Sequence, residues 1–209
     1  TKAGSNADED FEMARGIRDA VGDKLKLRID PNRAYSPQQA ADLAKRLEQF
    51  DLEYFEQPIP AEPLADAHWL RQQTSVPIAL NESVIDPASV IEIIRADAAS
   101  HILPDTHIAG GIGPCAIIGQ LCEAANIPCI MHCGHDLGPK TAAMIHVAAS
   151  GPAYSLANDS TYYGLDRKSV VLGKSVVLGG RLILKKKNKH NTLLVLFPLT
   201  VSLLRLTPL

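Results

Sequence analysis

Arg28-Ile29-Asp30-Pro31-Asn32, Tyr54-Phe55-Glu56-Gln57-Pro58, Ala79-Leu80-Asn81-Glu82-Ser83, Ile102-Leu103-Pro104-Asp105-Thr106 and Ile130-Met131-His132 repeat one pattern: a short apolar run, an acid or a histidine, then a loop. The steps between Asp30, Glu56, Glu82, Asp105 and His132 are 26, 26, 23 and 27 residues, each the length of one strand plus one helix. A parallel strand returns to its neighbour only through a crossover of a dozen or more residues, usually a helix, so this repeat predicts consecutive βα units. Polar residues at the carboxyl ends of such strands converge at one rim of the sheet. In a (β/α)8 barrel that rim carries the chemistry. Three carboxylates gathered there repel one another unless a cation lies between them, and an all-oxygen donor set suits Mg²⁺ better than a soft metal.

Outward from this stretch, Asp8 is expected to cap a helix over 9–21, whose apolar face is Phe11, Ala14, Ile17 and Val21 and whose stop is Gly22. Leu25 to Asp30 reads as a strand. Ser36-Pro37-Gln38-Gln39 opens the next helix with a cap, a proline in the first turn and a capping-box Gln. Strands are expected at 52–56, 76–81, 100–103, 127–131 and 153–157, and helices at 64–73, 114–125 and 139–149, with a further one opening at the cap-and-proline pair Asp86-Pro87. With a stub at residues 1–3, six strands and the start of a seventh result. A complete barrel needs roughly 250 residues, so the fold class is α/β, a partial (β/α)8 TIM-like barrel over residues 1–165.

After Asp166 the βα rhythm stops. KSVVLG occurs twice, at 168–173 and 174–179, followed by Lys185-Lys186-Lys187-Asn188-Lys189 and a Leu-rich end. Residues 166–209 are therefore a separate, poorly structured tail, whose composition suggests sequence foreign to the preceding domain or out of frame with it. Gly173-Lys174-Ser175 fails as a P-loop because Lys168 stands where the earlier glycine is required. Pro198 and Arg205 interrupt the apolar span that a membrane anchor would need.

A chain of 209 residues with a formal charge of −2 gives no sign of a nucleic-acid partner. Four cysteines and no signal-peptide pattern fit a reduced, cytoplasmic protein. Cys129, His132, Cys133 and His135 invite a zinc reading. Strand alternation, however, puts Cys129 and His132 on opposite faces, and no second ligand cluster accompanies them. Cys115 and Cys122, a heptad apart on one helix, read as core residues.

Asp30-Pro31-Asn32, Glu56-Gln57-Pro58 and Asn81-Glu82-Ser83, followed by Asp105 with Gly110-Gly111 and then His132, resemble the enolase superfamily, in particular its mandelate racemase and acid-sugar dehydratase group. The resemblance implies a C-terminal barrel domain without its first strand and capping domain, and Mg²⁺ held by Asp30, Glu56 and Glu82. It also implies abstraction of the proton α to a substrate carboxylate through an enediolate. His132 would be the base and Asp105 its orienting carboxylate. Muconate-lactonizing relatives have a lysine three positions after the Asp105 site, where this chain has Ile108. Lys2 matches the second lysine of the family's K-x-K motif. Asn158 or Asp159 occupies the place of a residue that polarises the substrate carboxylate, and Asn32 and His135 are further substrate contacts.

The Asn158-Asp159, Asp30-Pro31-Asn32 and His146-Val147-Ala148-Ala149 stretches resemble glucarate-type dehydratases. The expected activity is therefore dehydration of an acid sugar to a 2-keto-3-deoxy acid. The alternatives are a racemase or epimerase of a 2-hydroxy acid, using Lys2 and His132 on opposite faces, and a non-catalytic piece of such an enzyme. The implied partners are a small carboxylate substrate and, for the parent enzyme, further copies of itself, with neither nucleic acid nor membrane.

Overall fold

Ser36 and Asp86 each accept a hydrogen bond from the backbone amide three residues on, and Gln39 and Ser89 reach back to close two capping boxes. With Pro37 and Pro87 in the first turn, these signals start two helices where the sequence places them. In the computed structural model, which describes residues 1–134 and 138–159 and the backbone of 192–197 and 200–205, the elements alternate as anticipated. They are α1 (Ala7–Val21), β1 (Leu27–Ile29), α2 (Pro37–Leu47), β2 (Leu52–Glu56), α3 (Leu64–Arg71), β3 (Ile78–Leu80), α4 (Pro87–Arg95), β4 (His101–Ile102), α5 (Ile112–Ala124) and α6 (Gly138–Ala148). The cap of α1 is a correction: Asn6, not Asp8, accepts from the Glu9 amide. Asp8 lies inside the first turn, where its charge suits the helix dipole.

The sheet is wholly parallel, in the order β1-β2-β3-β4. On one side Lys2 bridges Asp30 in parallel, with Ala3 N donating to Asp30 O and Asp30 N to Thr1 O, both at 2.9 Å. The stub expected at residues 1–3 therefore lies where a preceding strand belongs. Gly4, at φ 101°, lets this segment turn against the loop after β1, because a Cβ there would stand 2.7 Å from Pro31 O.

On the other side the expected strands at 127–131 and 153–157 are not ladders. Among the described residues only the Ile102–Cys129 bridge forms there, supplemented by Ile130 N to Ile102 O, Cys129 N to Ala153 O and Asp159 N to Met131 O. The chain keeps the order of a barrel wall without regular pairing, because Pro104 and Pro128 bring no amide hydrogen to it.

Helices α1 and α2, α2 and α3, α4 and α5, and α5 and α6 pack as neighbours. They cover the outward face of the sheet through Ile29, Leu43, Leu47, Phe55, Ile78, Leu80, Ile93, Ile102, Cys115, Cys122 and Cys129. The inward face carries a smaller cluster of Tyr54, Ala79, Leu103 and Ile130. The cysteines read as core residues are buried, Cys129 among the helix-facing side chains while His132 faces inward. Most of the stretch expected as a poorly structured tail over 166–209 lies outside the described residues; within it Thr192–Phe197 and Thr200–Arg205 pair as antiparallel strands, order that the expectation did not include. Among the described residues no helix is long and apolar enough to cross a membrane.

Candidate active site

Asp30 follows β1, Glu56 ends β2, Glu82 stands two residues after β3, and Asp105 and His132 follow on the next two segments. Because these segments run parallel, all five side chains arrive at one rim. There they line a cavity of about 640 Å³ together with Lys2, Asn32 and Asp159. Of the residues named from sequence, Asn158 stands behind this wall: its Oδ1 accepts from Met131 N at 2.7 Å and anchors the strand end. His135 lies outside the described residues.

His132 is held between two carboxylates. Its Nδ1 lies 3.3 Å from Asp105 Oδ2, and its Nε2 lies 3.5 Å from Glu56 Oε1. Burial by itself lowers an imidazole pKa, but here the hydrogen bond to Asp105 and the charge of Glu56 outweigh it, and His132 titrates above its ordinary value. Burial works against the Asp105 carboxylate too. Hydrogen bonds from His132, Lys140 and the His107 amide reverse the balance and hold Asp105 well below the usual carboxylate range.

Sequence reading missed two of these neighbours. His107 Nδ1 and Lys140 Nζ each lie 2.5 Å from Asp105 Oδ1. The spacing Asp105-Thr106-His107 permits an Asx-type turn, with His107 N donating to Asp105 Oδ1 at 3.2 Å. Lys140, at the start of α6, had no local signal.

The three carboxylates have different surroundings. Asp30 Oδ2 accepts from Lys2 Nζ, which also donates to Asn32 Oδ1 at 3.0 Å, and Asp30 Oδ1 accepts from Asn32 N at 2.8 Å. Glu82 Oε1 accepts from Asn32 Nδ2 at 3.3 Å and faces Arg33 Nε at 3.3 Å. Glu56 Oε1 and Glu82 Oε2 are buried without a hydrogen-bond partner. A buried carboxylate oxygen without a donor is costly. Burial, then the charge of Asp30, push Glu56 up to about 7.

Two orphaned carboxylate oxygens facing one polar cavity, with a third carboxylate beside them, fit a hard divalent cation in donor chemistry. Among the described residues no three His, Cys, Asp or Glu side chains close into a metal cluster: Asp30 is turned onto Lys2, and one oxygen of Glu82 onto Asn32 and Arg33. Asp159 lines the same cavity and stands 3.5 Å from Arg28 Nη1.

Fold and site together define an α/β protein of the parallel-barrel kind, with an acidic rim and a carboxylate-oriented histidine. The chain belongs to the family described as enolase C-terminal domain-like, whose model matches residues 1–188. Among curated proteins it is 28% identical over 176 residues to the hydrophobic dipeptide epimerase of Enterococcus faecalis, covering 84% of this chain and 50% of that protein. It is 31% identical over 143 residues to the arabinonate dehydratase of Saccharolobus solfataricus, covering 68% and 38%. The structure of the E. faecalis dipeptide epimerase complexed with Mg and the dipeptide L-Leu-L-Tyr superposes with a TM-score of 0.72 at 28% identity, over 75% of this chain and 45% of that one. The chain spans about half or less of the length of these relatives.

Proposed function

We propose that this domain belongs to an enzyme that removes the proton α to a substrate carboxylate with the help of Mg²⁺. The observation that carries the proposal is the pair of buried oxygens that accept no hydrogen bond, Glu56 Oε1, which His132 Nε2 approaches at 3.5 Å, and Glu82 Oε2, in the same cavity as a histidine oriented by Asp105. Asp30, Glu56 and Glu82 would hold the cation. When bound, it would neutralise the negative charge that develops on the substrate carboxylate as the proton leaves, a stabilisation stronger in the transition state than in the ground state.

His132 is the base. Asp105 at Nδ1 leaves Nε2 to take the proton and stabilises the imidazolium that results. Lys2 and Asn32 form the wall on the side of Asp30, where they can orient substrate hydroxyl or carboxylate groups.

The specific reaction we propose is dehydration of an acid sugar. His132 takes the α-proton, the bond from the β-carbon to its hydroxyl breaks, and the proton returned by the imidazolium leaves with the hydroxyl as water. The enol that remains tautomerises to a 2-keto-3-deoxy acid. The Asp105–His132 pair, Ile108 in the place of a lysine and the likeness to arabinonate dehydratase support it. The likeness to dipeptide epimerase and the position of Lys2 on the cavity wall support a second reading, epimerisation with Lys2 and His132 as opposed proton carriers.

Incubation with Mg²⁺ and a panel of aldonates and aldarates in D2O separates the two. Dehydration releases a 2-keto acid that has lost water and carries one solvent deuterium at the former β-carbon, whereas epimerisation incorporates deuterium at the α-carbon without loss of water. Under the dehydratase reading His132→Asn lowers turnover by about 10²–10⁴-fold. Undiminished turnover in that variant would sink the assignment of the base.

A further inference from the structure

We infer that Gln57 is the positioning residue that holds the three carboxylate-bearing loops in register, a role that rests on the metal reading above. Its backbone and side chain connect all three loops. Gln57 N donates to Ala79 O at 2.8 Å, carrying the β2–β3 pairing one step beyond Glu56, and Gln57 O accepts from Arg33 N at 2.8 Å in the loop after β1. The side chain reaches the loop after β3: Oε1 accepts from Asn81 N at 3.1 Å, Ser83 N at 3.3 Å and Ser83 Oγ at 3.2 Å. Glu82 lies between those two amides. Its backbone is thus clasped on both sides by a single oxygen that belongs to the residue after Glu56. Gln57 Nε2 donates to Ile59 O at 3.2 Å, which fixes the amide's orientation.

Two features distinguish this arrangement from ordinary loop packing. Gln57 has no exposed surface, so its polar atoms have only these protein partners. It also sits at φ 32°, in the left-handed region that non-glycine residues rarely adopt, and holds that conformation because its side chain is engaged on the far loop. Asn81 extends the connection by donating from Nδ2 to Leu103 O at 2.8 Å, toward the segment that carries Asp105. A shift of Gln57 would move Glu56 and Glu82 relative to each other and to Asp30. No single carboxylate could correct such a shift.

The test uses the full 209-residue chain with Gln57→Met, which keeps the length of the side chain and removes its hydrogen bonds, and Leu43→Ala in α2 as a control for loss of stability at a distance. In metal-free protein, amide exchange at Asn81 and Ser83 should accelerate at least about tenfold in Gln57→Met, while Phe55 and Leu103 keep their protection. Mg²⁺ affinity by calorimetry should fall about 10–100-fold, as expected when the support of a metal ligand is removed, and Leu43→Ala should change neither quantity. Gln57→Glu keeps the acceptor at Oε1 but loses the Nε2 donor to Ile59 O, so protection at Asn81 and Ser83 should fall between wild type and Gln57→Met. It also serves as the test if the Met variant does not fold.

Unchanged exchange at Asn81 and Ser83 in Gln57→Met, or an equal rise at Phe55 and Leu103, overturns the inference. So does protection at Asn81 and Ser83 in Gln57→Glu that is lower than in Gln57→Met. Failure of the wild-type chain to bind Mg²⁺ would instead overturn the metal reading, and the exchange measurement would still decide the clamp.

Discussion

At Glu82 one carboxylate oxygen meets Asn32 and Arg33 while the other is buried without a donor. In Glu82→Gln the charge that would attract a cation is gone, and the increase in melting temperature produced by millimolar Mg²⁺ should disappear. The same increase in the variant and the wild type would exclude Glu82 from the metal site. Asp105 is a case of pH-linked stability. Its folded-state pKa lies below the unfolded value of about 3.9, so its contribution is complete above that value and is lost as pH falls toward the folded pKa. Asp105→Asn should cost on the order of 2 kcal/mol near neutral pH, the scale of hydrogen bonds to a charged group, and much less near pH 2, well below the unfolded value. Urea denaturation at both pH values measures the difference, and an equal loss at the two would show that the carboxylate's charge is not what its neighbours bind.

The helices show which local signals survive folding. Ser36 and Asp86 were legible as caps because the capping box involves only residues three apart. Asn6 was missed in favour of Asp8 because both residue types are good caps, and the choice depends on where the chain leaves the loop at Gly4. The strands at 127–131 and 153–157 were overcalled from apolar runs, since an apolar run reports burial whereas a ladder also needs amide hydrogens in register. Nothing in the sequence marks Gly119 on α5. A Cβ there would stand 2.6 Å from the ring of Tyr154, whose hydroxyl donates to Cys115 O at 2.7 Å. Gly119→Ala should therefore destabilise the chain by about 1–3 kcal/mol through overpacking. The loss should be smaller in a Tyr154→Leu background, where the space is open. Additive losses in a double-mutant cycle would mean that the ring is not what excludes the methyl group.

For the molecule as a whole, the parallel sheet brings together acids that lie 23 to 26 residues apart in sequence, whose mutual repulsion a cation would relieve under the metal reading. A thermal melt of the 209-residue chain should show a cooperative transition whose midpoint rises with Mg²⁺. The stabilisation should approach about 2.7 kcal/mol when the free ion reaches a hundred times its dissociation constant. Circular dichroism at several Mg²⁺ concentrations tests this, and a midpoint insensitive to the ion would separate the acidic rim from metal binding.

The sequence alone determined the βα rhythm, the identity of the rim residues and the pairing of Asp105 with His132. The rhythm and the meeting of the rim residues follow from spacing: a strand and a helix consume a nearly constant length of chain, so polar residues recurring at that interval must meet at one end of a parallel sheet; the pairing of Asp105 with His132 was implied by the family resemblance. Tertiary structure decided how those residues are held. Asp30 turns onto Lys2, Glu56 and Glu82 each keep one buried oxygen that accepts no hydrogen bond, and Lys140 reaches Asp105 from a separate segment. Gln57 clasps a loop more than twenty residues away. Hydrogen-bond partners across such distances are chosen by the packing of whole elements, and no local pattern in the chain encodes them.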